Sequence, residues 1–156
     1  MAQSALLPDL LSLTKAAIGP VETLLEKARE AVRETVSNEG RVSAQLLEEN
    51  QTAAHGLAWL ATYVESLRQM QNWAERLTEQ GTFGALEQHI HQIAFGEYLW
   101  QVYGGMQMNQ AEVVRLQDIG LSQDDARVMM TPEVMQLCEQ GNTQAARMAL
   151  VALMQD

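Results

Sequence analysis

Apolar positions along the chain recur at steps of three and four, and the glycines and prolines fall mostly between the runs they form. Leu7, Leu10, Leu11 and Ile18 predict a first helix over 8–18. Gly19-Pro20 predicts a break or kink after it, because proline lacks an amide donor and constrains the preceding residue. Val21, Leu24, Leu25, Ala28, Ala31 and Val32 line one face of a segment over 21–36. Its other face carries Glu22, Glu26, Lys27, Arg29, Glu30, Arg33 and Glu34, with Glu26–Arg29 and Glu30–Arg33 spaced as supporting i,i+3 pairs. Asn38-Glu39-Gly40 has turn chemistry.

The longest pattern spans 43–79. Ala53, Leu57, Leu60, Val64, Leu67 and Ala74 follow 4-3-4 steps, Gln71 is the polar exception, and Trp59, Tyr63, Met70, Trp73 and Leu77 form a second row. So wide an apolar face suits a central bundle helix. Gly81 predicts a left-handed stop. Thr82 is placed to cap a helix over 83–103 whose core face is Leu86, Ile90, Ile93 and Trp100, ended by Gly104-Gly105. The last third predicts shorter helices: Asn109 with Glu112 opens one to about Leu116, Ser122 with Asp125 another, and Thr131-Pro132 a third that stops at Gly141. Asn142 or Thr143 opens a final helix with Ala146, Ala149, Leu150 and Leu153. No stretch alternates with period two. The fold class expected is all-α, a helical bundle of three or four long helices followed by short C-terminal ones, in a single domain over 1–156.

Charge narrows the partners. Ten Lys and Arg stand against twenty Asp and Glu, a formal net charge of −10, without the clustered cations that nucleic-acid phosphates or anionic membranes require. Hence no nucleic acid and no membrane are expected as partners. One cysteine, Cys138, excludes an intrachain disulfide and a cysteine metal cluster. Met1-Ala2-Gln3-Ser4 lacks a basic signal region, and a cytoplasmic location is expected.

Catalytic chemistry finds little footing. A di-iron bundle wants Glu-x-x-His motifs, which are absent; Glu87, His89, His91 and Glu97 share one segment, with Glu87 and His91 facing and His89 pointing away on an exposed polar face. Glu97 continues the 86-90-93 row, so a partly buried carboxylate with a partner is expected, His55, Arg68 or a backbone donor being the candidates. A structural polar cluster of His55, Arg68 and Glu97 follows, with His55 beside Gly56 where helices approach closely. Cys138 lies next to Glu139, which raises a thiol pKa. The serines lack Gly-x-Ser-x-Gly contexts, and no glycine-rich phosphate loop is present. Met106, Met108, Met129, Met130 and Met135 suit either core filling or an adaptable binding face. No residue is assigned a catalytic, cofactor or metal role.

Three stretches carry a resemblance: Ala54-His55-Gly56-Leu57-Ala58-Trp59-Leu60-Ala61-Thr62-Tyr63-Val64-Glu65 with Arg68 and Trp73; Phe95-Gly96-Glu97-Tyr98-Leu99; and Gly141-Asn142-Thr143 with Ala146-Arg147. They resemble the helical extension that precedes the catalytic core in a group of bacterial acyl-CoA dehydrogenases, over essentially the whole chain. Where that group usually has Ile-Pro-Met-Ser after the Gly-Gly pair, this chain has Met106-Gln107-Met108-Asn109, losing the proline. The resemblance implies a parent enzyme that uses FAD and a glutamate base to form an enoyl-CoA thioester, with that machinery beyond Asp156. The domain itself would be non-catalytic and would dock on its own catalytic core or a second subunit, possible homo-oligomers included. His55, Trp59, Tyr63 and Glu97 are then packing and inter-helix hydrogen-bonding residues. A free-standing acidic helical interaction module is the alternative, and a metalloenzyme on Glu87, His91, Glu97 and His55 the third.

Overall fold

The computed structural model describes residues 5–155, so Met1-Ala2-Gln3-Ser4 and Asp156 lie outside the described residues. The order of elements is α1 (Leu10–Val36), β1 (Ser37–Asn38), β2 (Arg41–Val42), α2 (Ala44–Glu49), α3 (Gln51–Glu79) and α4 (Ala85–Gly104). Then follow β3 (Met106–Gln107), β4 (Val113–Val114), a 3-10 turn (Leu116–Ile119), α5 (Gln123–Met129), α6 (Pro132–Gln140) and α7 (Gln144–Gln155). The all-α class is borne out; the sheets are two antiparallel pairs of two-residue strands. No described helix is long and apolar enough to cross a membrane.

The expected break at Gly19-Pro20 does not occur, and α1 runs through Pro20. The reason is local. A proline ring collides with the Cβ of a helical residue before it, and Gly19 has none. The face expected inside is inside, with Val21, Leu24, Leu25, Ala28 and Val32 buried. Asn38-Glu39-Gly40 closes a hairpin, with φ of 50° at Glu39 and 77° at Gly40, the paired left-handed residues of a type I′ turn.

The expected segment over 43–79 divides at Asn50, whose φ of −121° and ψ of 33° leave the helical region. Its amide donates to the Leu46 carbonyl at 2.8 Å, closing α2. Along α3 the row Leu60, Val64, Leu67, Gln71 and Ala74 is buried as expected. Gly81, at φ 71°, gives the left-handed stop. Thr82 is consumed by that stop, its amide donating to the Leu77 carbonyl at 2.8 Å, and Gly84 is the N-cap of α4 instead.

The face of α4 is the largest departure. His89, His91, Gln92, Phe95, Gly96, Leu99 and Val102 are buried, whereas Ile90 and Trp100 are exposed and Leu86 and Ile93 half-buried. The row expected to be the core lies outside. Gly96 shows why. A Cβ there would come within 2.8 Å of the Asn142 amide nitrogen and the Leu137 carbonyl oxygen, so this edge of α4 lies directly against the backbone of the α6–α7 corner. A second departure is the segment opened by Asn109. Its Oδ1 accepts from the amides of Ala111 and Glu112, but the residues beyond pair as β4 rather than winding into a helix. Ser122 with Asp125 and Thr131-Pro132 cap α5 and α6 as expected, and Thr143 caps α7 through the Ala146 amide.

Candidate functional site

Two hydrogen-bonded chains tie the long helices together. In the first, Thr14 of α1 donates to Gln71 Oε1 of α3 at 2.7 Å, and His91 Nε2 of α4 lies 3.0 Å from the same hydroxyl. Thr14 has one proton, and its other neighbours, the Leu10 and Leu11 carbonyls, only accept. His91 therefore donates through Nε2 and keeps a bare Nδ1, which has no partner among the described residues. Phe95, Phe83 and Trp73 surround the ring at centroid distances of 4.7, 5.8 and 6.5 Å. Burial in that setting lowers its pKa to about 4, so the imidazole is neutral.

The second chain is longer. The Tyr63 hydroxyl of α3 donates to Gln101 Oε1, and Gln101 Nε2 donates to Glu97 Oε1 at 2.6 Å, both on α4. Asn142 Nδ2, at the α6–α7 corner, donates to Glu97 Oε2 at 2.7 Å. Arg147 of α7 then donates to the Asn142 side-chain and backbone oxygens at 2.8 and 3.1 Å. Burial, with Tyr98 and the Glu97 charge next in weight, pushes the Tyr63 hydroxyl above its ordinary pKa.

Glu97 thus has the expected partner, but not from the expected set. The structure does not bring His55, Arg68 and Glu97 together. His55 is exposed and accepts from Trp59 Nε1 at 3.3 Å, one turn along α3. Gly56 does mark a close approach, of the side chains of Val114 and Ile119 rather than of a helix. Arg68 bridges α1 and α3, its Nε 2.5 Å from Glu22 Oε1 and its Nη1 3.1 Å from Glu65. Those carboxylates raise its pKa, Glu22 most.

His89 is buried as well, its Nδ1 donating to the Ala85 carbonyl at 2.7 Å, so the exposed polar face expected around Glu87 is absent. Among the described residues no group of three metal-ligating side chains is placed to hold an ion. Cys138 is buried, and burial, then Glu139, pushes its pKa up to about 12, leaving an inert thiol. The surface recess beside His55, about 590 Å³, is lined by Leu47, Gln51, Thr52, Ala54, Ala58 and Glu112, an arrangement without a serine or cysteine nucleophile. The methionines divide: Met106 and Met129 fill the core, while Met135, Met148 and Met154 are exposed.

Tyr63, Glu97, Asn142 and Arg147 of the second chain lie in the stretches by which the sequence resembles a known enzyme group, and comparison with known proteins agrees. The chain is 53% identical over all 156 residues to (2S)-methylsuccinyl-CoA dehydrogenase of Cereibacter sphaeroides. The chain is similar to the N-terminal part of an acyl-CoA dehydrogenase. It spans 28% of that relative's length. No family model matches it. Likeness over the whole chain is what the sequence resemblance implied, and Gly56, Gly96, Glu97 and Asn142 of its quoted stretches have structural roles: side chains close against Gly56, backbone close against Gly96, and the bond that holds α4 to the α6–α7 corner.

Proposed function

We propose that this chain is the helical accessory domain of a flavin-dependent acyl-CoA dehydrogenase, non-catalytic by itself, which docks on the enzyme's catalytic core. The carrying observation is the 53% identity through every helix to a stretch that makes up 28% of a dehydrogenase. The internal chemistry supports the same reading. Thr14, Gln71 and His91 join α1, α3 and α4 in one hydrogen-bonded chain, and Tyr63, Gln101, Glu97, Asn142 and Arg147 join α3, α4 and α7 in another, so among the described residues these acids and bases are engaged in holding helices together.

FAD belongs to the parent enzyme in this reading. The residues present do not fit it: the recess between Tyr103, Arg115 and Arg127, about 330 Å³, offers no apolar slot for a flavin ring, and Arg127 is already paired with Asp124. The recess over Val32, Val36, Val42 and Leu57, about 340 Å³, has an apolar floor, but its two guanidinium groups, Arg29 and Arg33, are paired with Glu26 and Glu30 and are not free for a pyrophosphate. The test is the purified 156-residue chain. It is expected to be colourless and to leave electron acceptors unreduced with any acyl-CoA. A stoichiometric flavin absorbance with turnover would overturn the reading.

A further inference from the structure

Helix α7 is apolar on both sides. Ala146 is buried and Ala149, Leu150 and Leu153 are half-buried on its inner side, yet Met148, Val151 and Met154 on the outer side are 65%, 50% and 70% exposed. Its one charged residue is Arg147. A helix with apolar residues all round is a buried helix in its working state. The neighbouring α4 has the same property: inside lie Phe95, Leu99 and Val102, and outside the row continues through Ile90 to Trp100, 43% exposed, with Tyr103 at its end.

We propose that the outer faces of α4 and α7 are the surface that packs against the catalytic core of the dehydrogenase. The proposal rests on the accessory-domain reading and names the face that reading requires. The charges at the centre of this face are already engaged. Glu97 already accepts from Gln101 and Asn142, and Arg147 already donates to Asn142, so these two ions are hydrogen-bonded within the domain and opposite in sign, while Glu87 and Arg115 lie at the edges of the face, near Ile90 and Tyr103. The outer face of α1 is the contrary case, with Glu26–Arg29 and Glu30–Arg33 pairs set in water.

The occupant follows from tethering and charge. In the relative, the matched stretch shares one polypeptide with the remaining 72% of the enzyme, the complement of the 28% matched. A tethered partner meets this face at a high effective concentration. A second copy of the chain brings another net charge of −10 and is repelled. The complementary surface on the core is therefore apolar and poor in charge, with Trp100 as the rigid anchor and the methionines adapting around it.

The experiment replaces the matched 28% of the C. sphaeroides enzyme with this chain and follows amide hydrogen exchange in the chimeric holoenzyme and in the isolated 156-residue chain. Amides of α7 are expected to exchange at least about tenfold more slowly in the chimera. Met148→Glu with Val151→Glu, or independently Trp100→Glu, should return them to the isolated rate; Glu26→Lys with Glu30→Lys on α1 should not. These side chains are exposed, so the isolated variants should keep the parent helicity. An active, FAD-loaded chimera whose α7 exchanges as in the isolated chain would overturn this face and leave the accessory-domain reading standing. A chimera without dehydrogenase activity, beside an active parent, would overturn both. Concentration-dependent protection of α7 in the isolated chain would assign the face to a second copy and overturn the proposal.

Discussion

The α1–α3 pair and the α4–α7 pair are built on opposite principles. Along α1 and α3 the apolar residues occupy one side and the ions the other, so the inner face is set by amphipathicity. Along α4 and α7 both sides are apolar, and small or polar residues decide which side goes in: Gly96 against backbone, Gln92 donating to the Gly141 carbonyl at 3.1 Å, and His91 on Thr14. The lesson concerns what hydrophobicity can orient. A helix with one apolar face is aimed by it. A helix with two is aimed by steric fit and hydrogen bonds, and the side left over is free to bind.

The most damaging way to break the second pair is at the glycine. Gly96→Ala places a Cβ 2.8 Å from backbone atoms of Leu137 and Asn142 that no side-chain rotation relieves. A loss of about 3 kcal/mol is expected from such overpacking, measured by urea unfolding. A loss below about 1 kcal/mol would mean that the corner yields and that Gly96 does not aim α4.

Next comes the hydrogen-bonded aim of α4, which acid should undo. His91 has a folded pKa of about 4 against an ordinary 6.5, so between these values the unfolded chain binds a proton that the folded chain does not. Stability from the neutral ring is complete above pH 6.5 and is lost as the pH falls to about 4, by roughly 2 to 3 kcal/mol. Glu65 and Glu75, whose carboxyls are held below their ordinary 4.5 by Gln69 and Gln71 respectively and by neighbouring cations, begin to lose their contributions only near that value, at the acid end of the window. Unfolding free energies from neutral pH to about pH 4 should show the slope, and His91→Phe, which suits the aromatic surroundings, should flatten it. An unchanged slope in that variant would place the sensitivity elsewhere.

These two residues also mark how far the sequence could be read. Local signals were legible: Ser122 with Asp125, Thr131-Pro132 and Gly81 act within a few residues, and the structure repeats them. Gln71 was visible as a polar residue in an apolar row, but its partner Thr14 is 57 positions away and carries no local mark. Asn109 departs from the expected helix start because its side chain organises a turn as readily, and Val113-Val114 beyond it favours strand. For α4, the row 86-90-93-100 is a sound apolar pattern on the wrong side. The tie was broken by Gly96 meeting Asn142, 46 residues on, and no spacing rule announces that meeting. The cluster of His55, Arg68 and Glu97 failed for the same reason: each found a partner, and none found another of the three.

A milder cut separates α7 without disturbing the core. Asn142→Ala removes the donor to Glu97 Oε2 and the side-chain acceptor of Arg147. Glu97 is only half-buried, so water replaces the missing donor, and a cost of about 1 kcal/mol is expected. Hydrogen exchange should show the loss concentrated in α7, with α1 and α3 unaffected. A uniform loss across all helices would mean that the corner and the long helices unfold as one unit.

The smallest effect belongs to the first pair of helices and completes the contrast. Glu26 and Arg29 make an i,i+3 pair at 2.8 Å with both side chains 61% exposed. Water screens such a pair and the ordering of two long side chains opposes it, so a double-mutant cycle with Glu26→Ala and Arg29→Ala should give a coupling of about 0.3 kcal/mol, fading in high salt. The face is charged because nothing covers it, and its charges are nearly interchangeable. Were that coupling to exceed about 1 kcal/mol, α1 would owe part of its orientation to its ions, and amphipathicity alone would no longer account for the half of the molecule in which the sequence reads most directly.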